Sequence, residues 1–397
     1  MAKKSIKGVD VKGRRVFVRC DFNVPLDDKG NITNDLRIVD ALPTIKDIMN
    51  NGGRVILASH LGRPEGTRDE KYSLKPVARH LTKLLGKEVP LLPDCIGPEV
   101  EAAVANMKDG EVVLLENVRF HKEETAKDKA VMTEFGNKMA KLADIFVCDA
   151  FGSAHRAHAS VVSLAAKMPA YSGYLLAKEL EYFAKIIETP EHPVVAILGG
   201  AKVSDKILLI ENLMEKVDKI LIGGGMAYTF QYGQGRKIGK SLLEKDRVET
   251  ALKILEKAKQ KNVELILPVD TVIADKFGAD ANTKVVEGDI PDEWEGVDVG
   301  PKTLEKFTAA LADANVVVWN GPVGVFEIEK FANGTRQLGE IVASSKATTI
   351  IGGGDTAAAV YKFGLEKRMS HISTGGGASL ELLEGKNLPG VACLLDA

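Results

Sequence analysis

The sequence predicts an α/β protein of two domains, each built on a mainly parallel sheet, with a helix connecting them. Three observations carry that prediction. Short β-branched runs alternate with amphipathic segments along the whole chain. The runs are apolar at consecutive positions, as strands covered on both faces require. At 397 residues the chain also exceeds the usual size of a single core.

In the first half the candidate strands are RVFVRCDF (15–22), RVILASH (54–60), VVLLENVRF (112–120) and IFVCDAF (145–151). In the second half they are VVAILGG (194–200), KILIGGG (219–225), VELILPVD (263–270), NVVVWNGP (315–322), TTIIGGG (348–354) and HISTGGG (371–377). Between the halves, residues 174–189 carry Leu176, Leu180, Phe183 and Ile187 at helical spacing before Pro190 stops the pattern. This is the expected connecting helix, with domains over 1–172 and 173–379.

Composition narrows the function. A net charge of −2 with 27% charged residues excludes binding of nucleic acid or membrane through bulk charge, so any basic site must be local. Cys20, Cys95, Cys148 and Cys393 are far apart and lack CxxC or Cys/His spacing, which disfavours disulfide and zinc frameworks and fits reduced thiols in a cytoplasmic chain. The N-terminus MAKKSIKGVD has no apolar signal core, and no apolar run is long enough to span a bilayer.

Four apolar runs of the second half end in glycines: 194–200, 219–225, 349–354 and 371–377. Each leads into a helical pattern, so each is a strand-to-helix corner where backbone N–H groups can approach an anion. Any one such corner is equally well explained by close packing of a helix start on a sheet. Their recurrence at strand carboxyl ends, where open α/β sheets bind ligands, favours a phosphate-rich ligand. In GGAKVSDKI, Lys202 and Lys206 flank a helix start signalled by Ser204 and Asp205, and lysines there oppose the helix dipole unless an anion is bound. In IIGGGDTAAA, Asp355 and Thr356 follow the glycines as caps or, for the acid, as a ligand for Mg²⁺ shared with a nucleotide. Glu327, just past the turn Asn320-Gly321-Pro322, reads either as a partner for ribose hydroxyls or as an unremarkable surface acid. The segment GQGRKIGKS (233–241) lacks P-loop spacing and reads as a surface loop, and no G-x-G-x-x-G fingerprint supports a dinucleotide dehydrogenase.

The first half has no glycine triplet. Its runs end instead in Arg19, Asp21 and Asn23, then His60 and Arg63, then Arg119, then Arg156. An arginine forks two N–H groups onto a phosphate or carboxylate, so arginines converging from several strand ends suit a small ligand bearing both. His155 and His158 flank Arg156, but an i,i+3 pair without carboxylates is a poor zinc motif. Two polyanions, one held by backbone and one by Arg/His, point to group transfer.

The segments RVFVRCDFNVPL (15–26), LASHLGRP (57–64), LLENVRF (114–120), DAFGSAHRAHAS (149–160), GGAKVSDKI (199–207), GGGMAYTF (223–230), VVWNGPVGVFE (317–327), IIGGGDTAAA (350–359) and STGGGASLELLEGK (373–386) resemble, in the same order, those of the phosphoglycerate kinase family. The resemblance covers essentially the whole chain. It implies reversible phosphoryl transfer between 1,3-bisphosphoglycerate and ADP, giving 3-phosphoglycerate and ATP, in glycolysis. It further implies a cytoplasmic monomer of two Rossmann-like three-layer domains, direct in-line transfer on domain closure, and a C-terminal segment, 380–397, that packs back on the N-terminal domain.

Carried over by motif position, Asp21, Phe22, Asn23, Arg37, His60, Leu61, Gly62, Arg63, Arg119 and Arg156 resemble the family's 3-phosphoglycerate site. Gly200, Ala201, Lys202, Lys206, Gly224, Gly300, Asn320, Pro322, Glu327, Gly353, Gly354, Asp355 and Thr356 resemble its nucleotide site, with Asp355 as the Mg²⁺ ligand. Arg37, Lys202, Gly353 and Gly376 correspond to the catalytic set. Arg37, in NDLRIVDAL, otherwise passes for an ordinary helix arginine. The competing reading, a nucleotide-binding sensor without turnover, is disfavoured by the presence of Arg37, Lys202 and Asp355.

Overall fold

A computed structural model of the chain describes residues 2–397. It divides into two compact units, Met1–Glu181 with Asn387–Ala397, and Tyr182–Lys386. In the first unit the strands are β1 (Arg15–Cys20), β2 (Arg54–Ala58), β3 (Val112–Leu114), β4 (Ile145–Asp149) and β5 (Ala170–Ser172). They form one parallel sheet in the order β3-β2-β1-β4-β5. The chain leaves β1 toward β2 and β3, then returns to β4 on the other side. The strand order therefore reverses between β1 and β4, which opens a crevice at their carboxyl ends. Val16, Val18 and Cys20 point to one face, into a core with Ile38, Ile45, Leu57 and Val77, while Phe17 meets Phe146 on the other.

The second unit repeats the plan. Its strands β6 (Val194–Leu198), β7 (Lys219–Ile222), β8 (Glu264–Ile266), β9 (Asp270–Ala274), β10 (Thr283–Glu287), β11 (Glu295–Val299), β12 (Val316–Asn320), β13 (Thr348–Gly352) and β14 (His371–Ile372) divide between two sheets. The larger is parallel, ordered β14-β13-β12-β6-β7-β8, and reverses between β6 and β12. Trp319, wholly buried on β12, anchors its core with Phe307, Leu338 and Ile351. All ten expected strands form. Several are shorter than their apolar runs: β3 stops at Leu114 and gives way to a 3₁₀ turn over Val118–Phe120, and β14 is two residues long.

Two features lie outside the sequence expectation. One is β5, whose AYS segment is too short to show alternation. The other is a three-stranded antiparallel sheet, β10-β9-β11, with a bulge between Gly296 and Asp298. The run 263–270 was expected as one strand. It ends at Ile266, and Asp270 opens β9, where its carboxylate takes the amides of Lys302 and Thr303. The 233–241 segment is a loop, but an anchored one: Ile238 is buried and bridges Ile290.

The connecting helix runs over Tyr174–Ile187, and the division between units falls inside it, at Glu181/Tyr182, rather than at 172/173. Its last buried stripe residue is Ile186, not Ile187. The C-terminal return begins at Asn387 rather than 380, because the Gly377–Leu383 helix stays with the second unit, where Asn212 Nδ2 donates to Leu383 O at 2.5 Å. The returning segment is tied to the first unit by backbone bonds from Gly390 N to Ala154 O (2.8 Å) and from Lys4 N to Leu395 O (2.8 Å).

Asp149, at the end of β4, accepts the Leu176 amide at 3.1 Å and so holds the start of the connecting helix, while its Oδ2 is buried without a partner. Burial pushes its carboxyl up to about 7, with hydrogen bonds opposing the shift. Because this raised value lies above that of the unfolded chain, Asp149 is least costly at acid pH, and its cost grows as pH rises from about 4 to about 7. Asp149→Asn is therefore expected to gain stability relative to the parent across that window, at up to about 1.4 kcal/mol per pH unit, and to show a constant difference above it. Urea unfolding at a series of pH values checks this, and a pH-independent difference would refute it.

Candidate active site

The first cluster lies at the carboxyl edge of the first sheet, where Asp21 follows β1, His60 follows β2 and Arg119 follows β3. Arg37, the second residue of the Leu36–Asn50 helix, donates from Nη1 to Asp21 Oδ1 (3.0 Å) and to Asn23 O (3.3 Å). Asn23 Oδ1 accepts the Gly62 amide (2.9 Å), and Gly62 O accepts Arg119 Nη1 (2.9 Å). Asp21, Asn23, Arg37, Gly62 and Arg119 are thereby one hydrogen-bonded assembly. Phe22 and Leu61 belong to the core, and only their backbones edge the site. Arg63 and Arg156 are exposed, and Arg63 takes no part in those bonds.

Beneath this assembly Arg19 and His60, both read from the sequence as strand-end residues, meet Ser160 and Glu124, which were not. Arg19 is wholly buried; its Nε donates to Ser160 Oγ (2.8 Å) and its Nη2 meets His60 Nδ1 at 3.3 Å. A guanidinium cannot accept, so Nδ1 is the acceptor and the ring's proton sits on Nε2. Ser160 in turn donates its N–H (2.9 Å) and Oγ–H (2.6 Å) to the buried Glu124 carboxylate. Arg19 was visible as a charge inside an apolar strand. Glu124, in the polar stretch HKEET, carried no signal, since nothing local marks which of two adjacent glutamates turns inward.

The electrostatics of the cluster are unbalanced. Burial, then Arg19, Arg119, His158 and Arg37, depress His60 well below the usual imidazole range. Burial, then Arg19, Arg119 and Arg156, bring His158 to about 3. Burial and Arg19 lower Arg119 to about 10, so it stays charged at neutral pH. Arg119 Nε and His158 Nδ1 are buried with no hydrogen-bond partner. Like charges gathered at a strand edge with unspent donors are the signature of a site completed by an anion.

The second cluster lies at the β6/β12 reversal. Gly199 N donates to Asn320 O (3.0 Å) and Gly200 N to Pro322 O (3.1 Å), while Thr356 Oγ1 accepts the Gly321 amide (2.7 Å). Lys206 donates to Asn320 Oδ1. Burial lowers the Lys206 ammonium, opposed by Asp205, Asp355 and Glu384, which brings Asp355 into the same field. Two expectations are corrected here. The helix after this corner begins at Ile207, and Ser204 does not cap it but bonds Glu244 through N–H and Oγ–H. Asp355 is likewise no cap: Gly353, at φ +86°, holds the cap position of the Gly354–Lys362 helix without any side-chain bond. Lys202, Asp355 and Glu327 are exposed.

The glycines separate by what surrounds them. A Cβ on Gly199 would lie 2.0 Å from Pro322 O, and one on Gly224 2.7 Å from Gly200 O, so these corners pack backbone on backbone. Gly300 belongs with them, its N–H committed to Asp270 O and its Cβ position 2.3 Å from the Asp270 carboxyl. Gly354 and Gly376 face open space, and Gly200 has only Lys206 Cε at 4.0 Å. The Gly354–Lys362 helix thus presents its first amides uncapped toward an open edge, as anion binding requires.

The family model for phosphoglycerate kinase matches residues 6–386. The chain belongs to the phosphoglycerate kinase family. It is 56% identical over 398 residues to the cytosolic phosphoglycerate kinase of Nicotiana tabacum, covering 99% of this chain and 98% of the relative. It is 54% identical to the phosphoglycerate kinase of Clostridium tetani (strain Massachusetts / E88) over the same shares. Its fold matches the phosphoglycerate kinase structure from Coxiella burnetii with a TM-score of 0.91 at 46% identity, and that from Pyrococcus horikoshii OT3 with 0.84 at 32%, each over 98% of both chains. The chain is a glycolytic phosphoglycerate kinase, a phosphotransferase with a carboxyl group as acceptor, whose substrates are phosphoglycerate and ADP/ATP. No helix among the described residues is long and apolar enough to cross a membrane.

For a phosphoglycerate kinase the two kinds of glycine predict opposite responses to one added methyl. Gly199→Ala is expected to lower stability by about 3 kcal/mol or more, because backbone cannot yield to the clash. Gly354→Ala, at an unstrained helix start with nothing within 4 Å, should remain within about 0.5 kcal/mol of the parent. Urea unfolding midpoints check both.

Proposed function

We propose that the first unit binds 3-phosphoglycerate through the Asp21, Asn23, Arg37, His60, Arg63, Arg119 and Arg156 cluster and that the second binds the nucleotide at the β6/β12 corner. The observation that carries this reading is the uncompensated positive field around Arg119 and His60, with buried donors left over. A ligand bearing one phosphate and one carboxylate neutralises that field. His60, held neutral, contributes an Nε2–H donor without adding charge. Arg37, pre-set by Asp21 and Asn23, is the guanidinium for the attacking carboxylate.

In the second unit, the uncapped amides after Gly353 suit the nucleotide phosphates, and Lys206, aligned by Asn320, offers a second cation. Asp355, exposed in the first turn and not engaged as a cap, fits a Mg²⁺ shared with those phosphates, a hard oxygen ligand for a cation that keeps its other positions for water and substrate. Mg²⁺ supplies charge neutralisation of the phosphates. The substrate carboxylate attacks the γ-phosphorus in line and is already ionised, so neither a protein nucleophile nor a general base is needed. Lys202, exposed beside the open Gly200 corner, is free to follow the phosphoryl group. With each substrate on its own unit, transfer requires domain closure around both. The cytosolic tobacco relative supports a cytoplasmic location, and we take the enzyme to be a monomer.

A coupled assay for MgATP-dependent consumption of 3-phosphoglycerate tests the site reading through variants. Lys202→Ala is expected to lower kcat by about 10²–10³, the scale for losing one transition-state donor, with 3-phosphoglycerate affinity unchanged. A near-normal kcat would return Lys202 to a solvated loop. Arg119→Ala should weaken 3-phosphoglycerate by about 1.5–3 kcal/mol while leaving MgADP affinity alone. Equal weakening of both ligands by calorimetry would overturn the division of substrates between units.

A further inference from the structure

Asp94, Cys95 and His121, none of them assigned a role above, come together next to the stretch that carries Arg119 and Glu124. One ligand atom from each lies within 4.8 Å of the other two, and no other such group of three occurs among the described residues. His121 Nε2 is 2.6 Å from Asp94 Oδ1, and the Cys95 amide donates to the same oxygen at 2.6 Å. An imidazole–carboxylate pair alone is commonplace. The third member changes its chemistry, because thiolate, imidazole and carboxylate together are the donor set of a thiophilic divalent ion, not of Mg²⁺ or Ca²⁺.

We propose that Asp94, Cys95 and His121 form a binding site for a zinc-class divalent cation, with a fourth position open to water. Ionised Asp94 and Cys95 supply two negative charges against the ion's two positive ones, and binding releases the thiol proton to solvent. Tetrahedral bonds of about 2.0–2.3 Å put ligand atoms roughly 3.3–3.8 Å apart, so the 2.6 Å Asp94–His121 pair spreads and the distances to the Cys95 sulfur, at most 4.8 Å, shorten, each by about 1 Å or less. The supporting shell exists: His121 packs against the Phe135 ring at 5.0 Å, which sets its plane, and the Cys95 amide anchors the Asp94 carboxylate. Cys95 is wholly enclosed, and the ion reaches it past Asp94 and His121, whose side chains are 39% and 24% exposed. The site joins the 94–95 segment to the stretch carrying Arg119 and Glu124, so an ion there braces the wall of the anion cluster.

The test is cobalt substitution. Reduced, chelator-treated full-length protein titrated with Co²⁺ is expected to develop thiolate-to-cobalt charge-transfer absorption and tetrahedral d–d bands at one equivalent, both removed by Zn²⁺ and unaffected by excess Mg²⁺. Cys95→Ser should abolish the charge-transfer band, Cys393→Ser should retain it, and His121→Asn should weaken Co²⁺ binding by at least about tenfold. Absence of the band in the parent, or its survival in Cys95→Ser, overturns the proposal. If the buried Cys95→Ser does not fold, the partly exposed His121→Asn decides with its circular dichroism unchanged: weakened binding supports the site, and undiminished binding overturns it.

Discussion

Both sheets reverse their strand order beside their first strand, and everything functional in this chain depends on that reversal. A parallel sheet can add strands only through crossovers. When the direction of addition changes, the crossovers on either side diverge and leave the carboxyl ends of two neighbouring strands uncovered. In the first unit those strands are β1 and β4, in the second β6 and β12. The uncovered ends are the places where polar groups can face a ligand while the strands behind them stay wholly apolar.

The two units meet the same opening with different chemistry. The second fills its corner with backbone. Gly199, Gly224 and Gly321 let loops cross at contact distance, and the tightness of that crossing holds the open residues, Gly200 and Gly354, in place. Rigidity and reach are thus divided among glycines that look alike in sequence. The first unit uses side chains instead, and so must gather like charges in a buried place. It does so by anchoring them to neutral or oppositely charged partners: Arg37 on Asp21, Arg19 on Ser160 and through it Glu124, Arg119 on a carbonyl. Burial raises Glu124, while Arg19 and the two Ser160 hydrogen bonds lower it.

That arrangement also explains why His60 and His158 are neutral. Each is surrounded by arginines that cannot lose their protons, so the imidazoles lose theirs. The cluster keeps its fixed charges on guanidinium groups and uses its histidines for direction.

Much of this was legible in the sequence. Consecutive apolar residues marked ten of the eleven strands of the two parallel sheets, all but the three-residue β5, because burial on both faces is written along such a strand. The order of motifs gave the family, and residues at strand carboxyl ends gave the Asp21, Asn23, His60 and Arg119 cluster, since a parallel sheet sends all those ends to one edge. What the sequence could not decide was anything set by neighbours distant in the chain. Strands β9 (DTVIA), β10 (TKVVE) and β11 (EGVDV) mix acidic residues, threonine, lysine or glycine with apolar ones, so no unbroken apolar run sets them apart from loop. Whether a glycine is there for packing or for ligand approach depends on what lies opposite: Pro322 against Gly199, Asp270 against Gly300, nothing against Gly354. Ser204 and Asp355 look like helix caps locally, yet Glu244 captures one and Gly353 takes the cap position of the other. Glu124 becomes a partner of Arg19 only once β1 lies against β4, and Cys95 meets His121 only when two loops 26 residues apart are packed side by side. Local pattern determines which surfaces are buried, because the hydrophobic effect acts on every residue without regard to partner; tertiary structure decides which polar groups meet, because hydrogen bonds and charges act only across short distances between particular atoms.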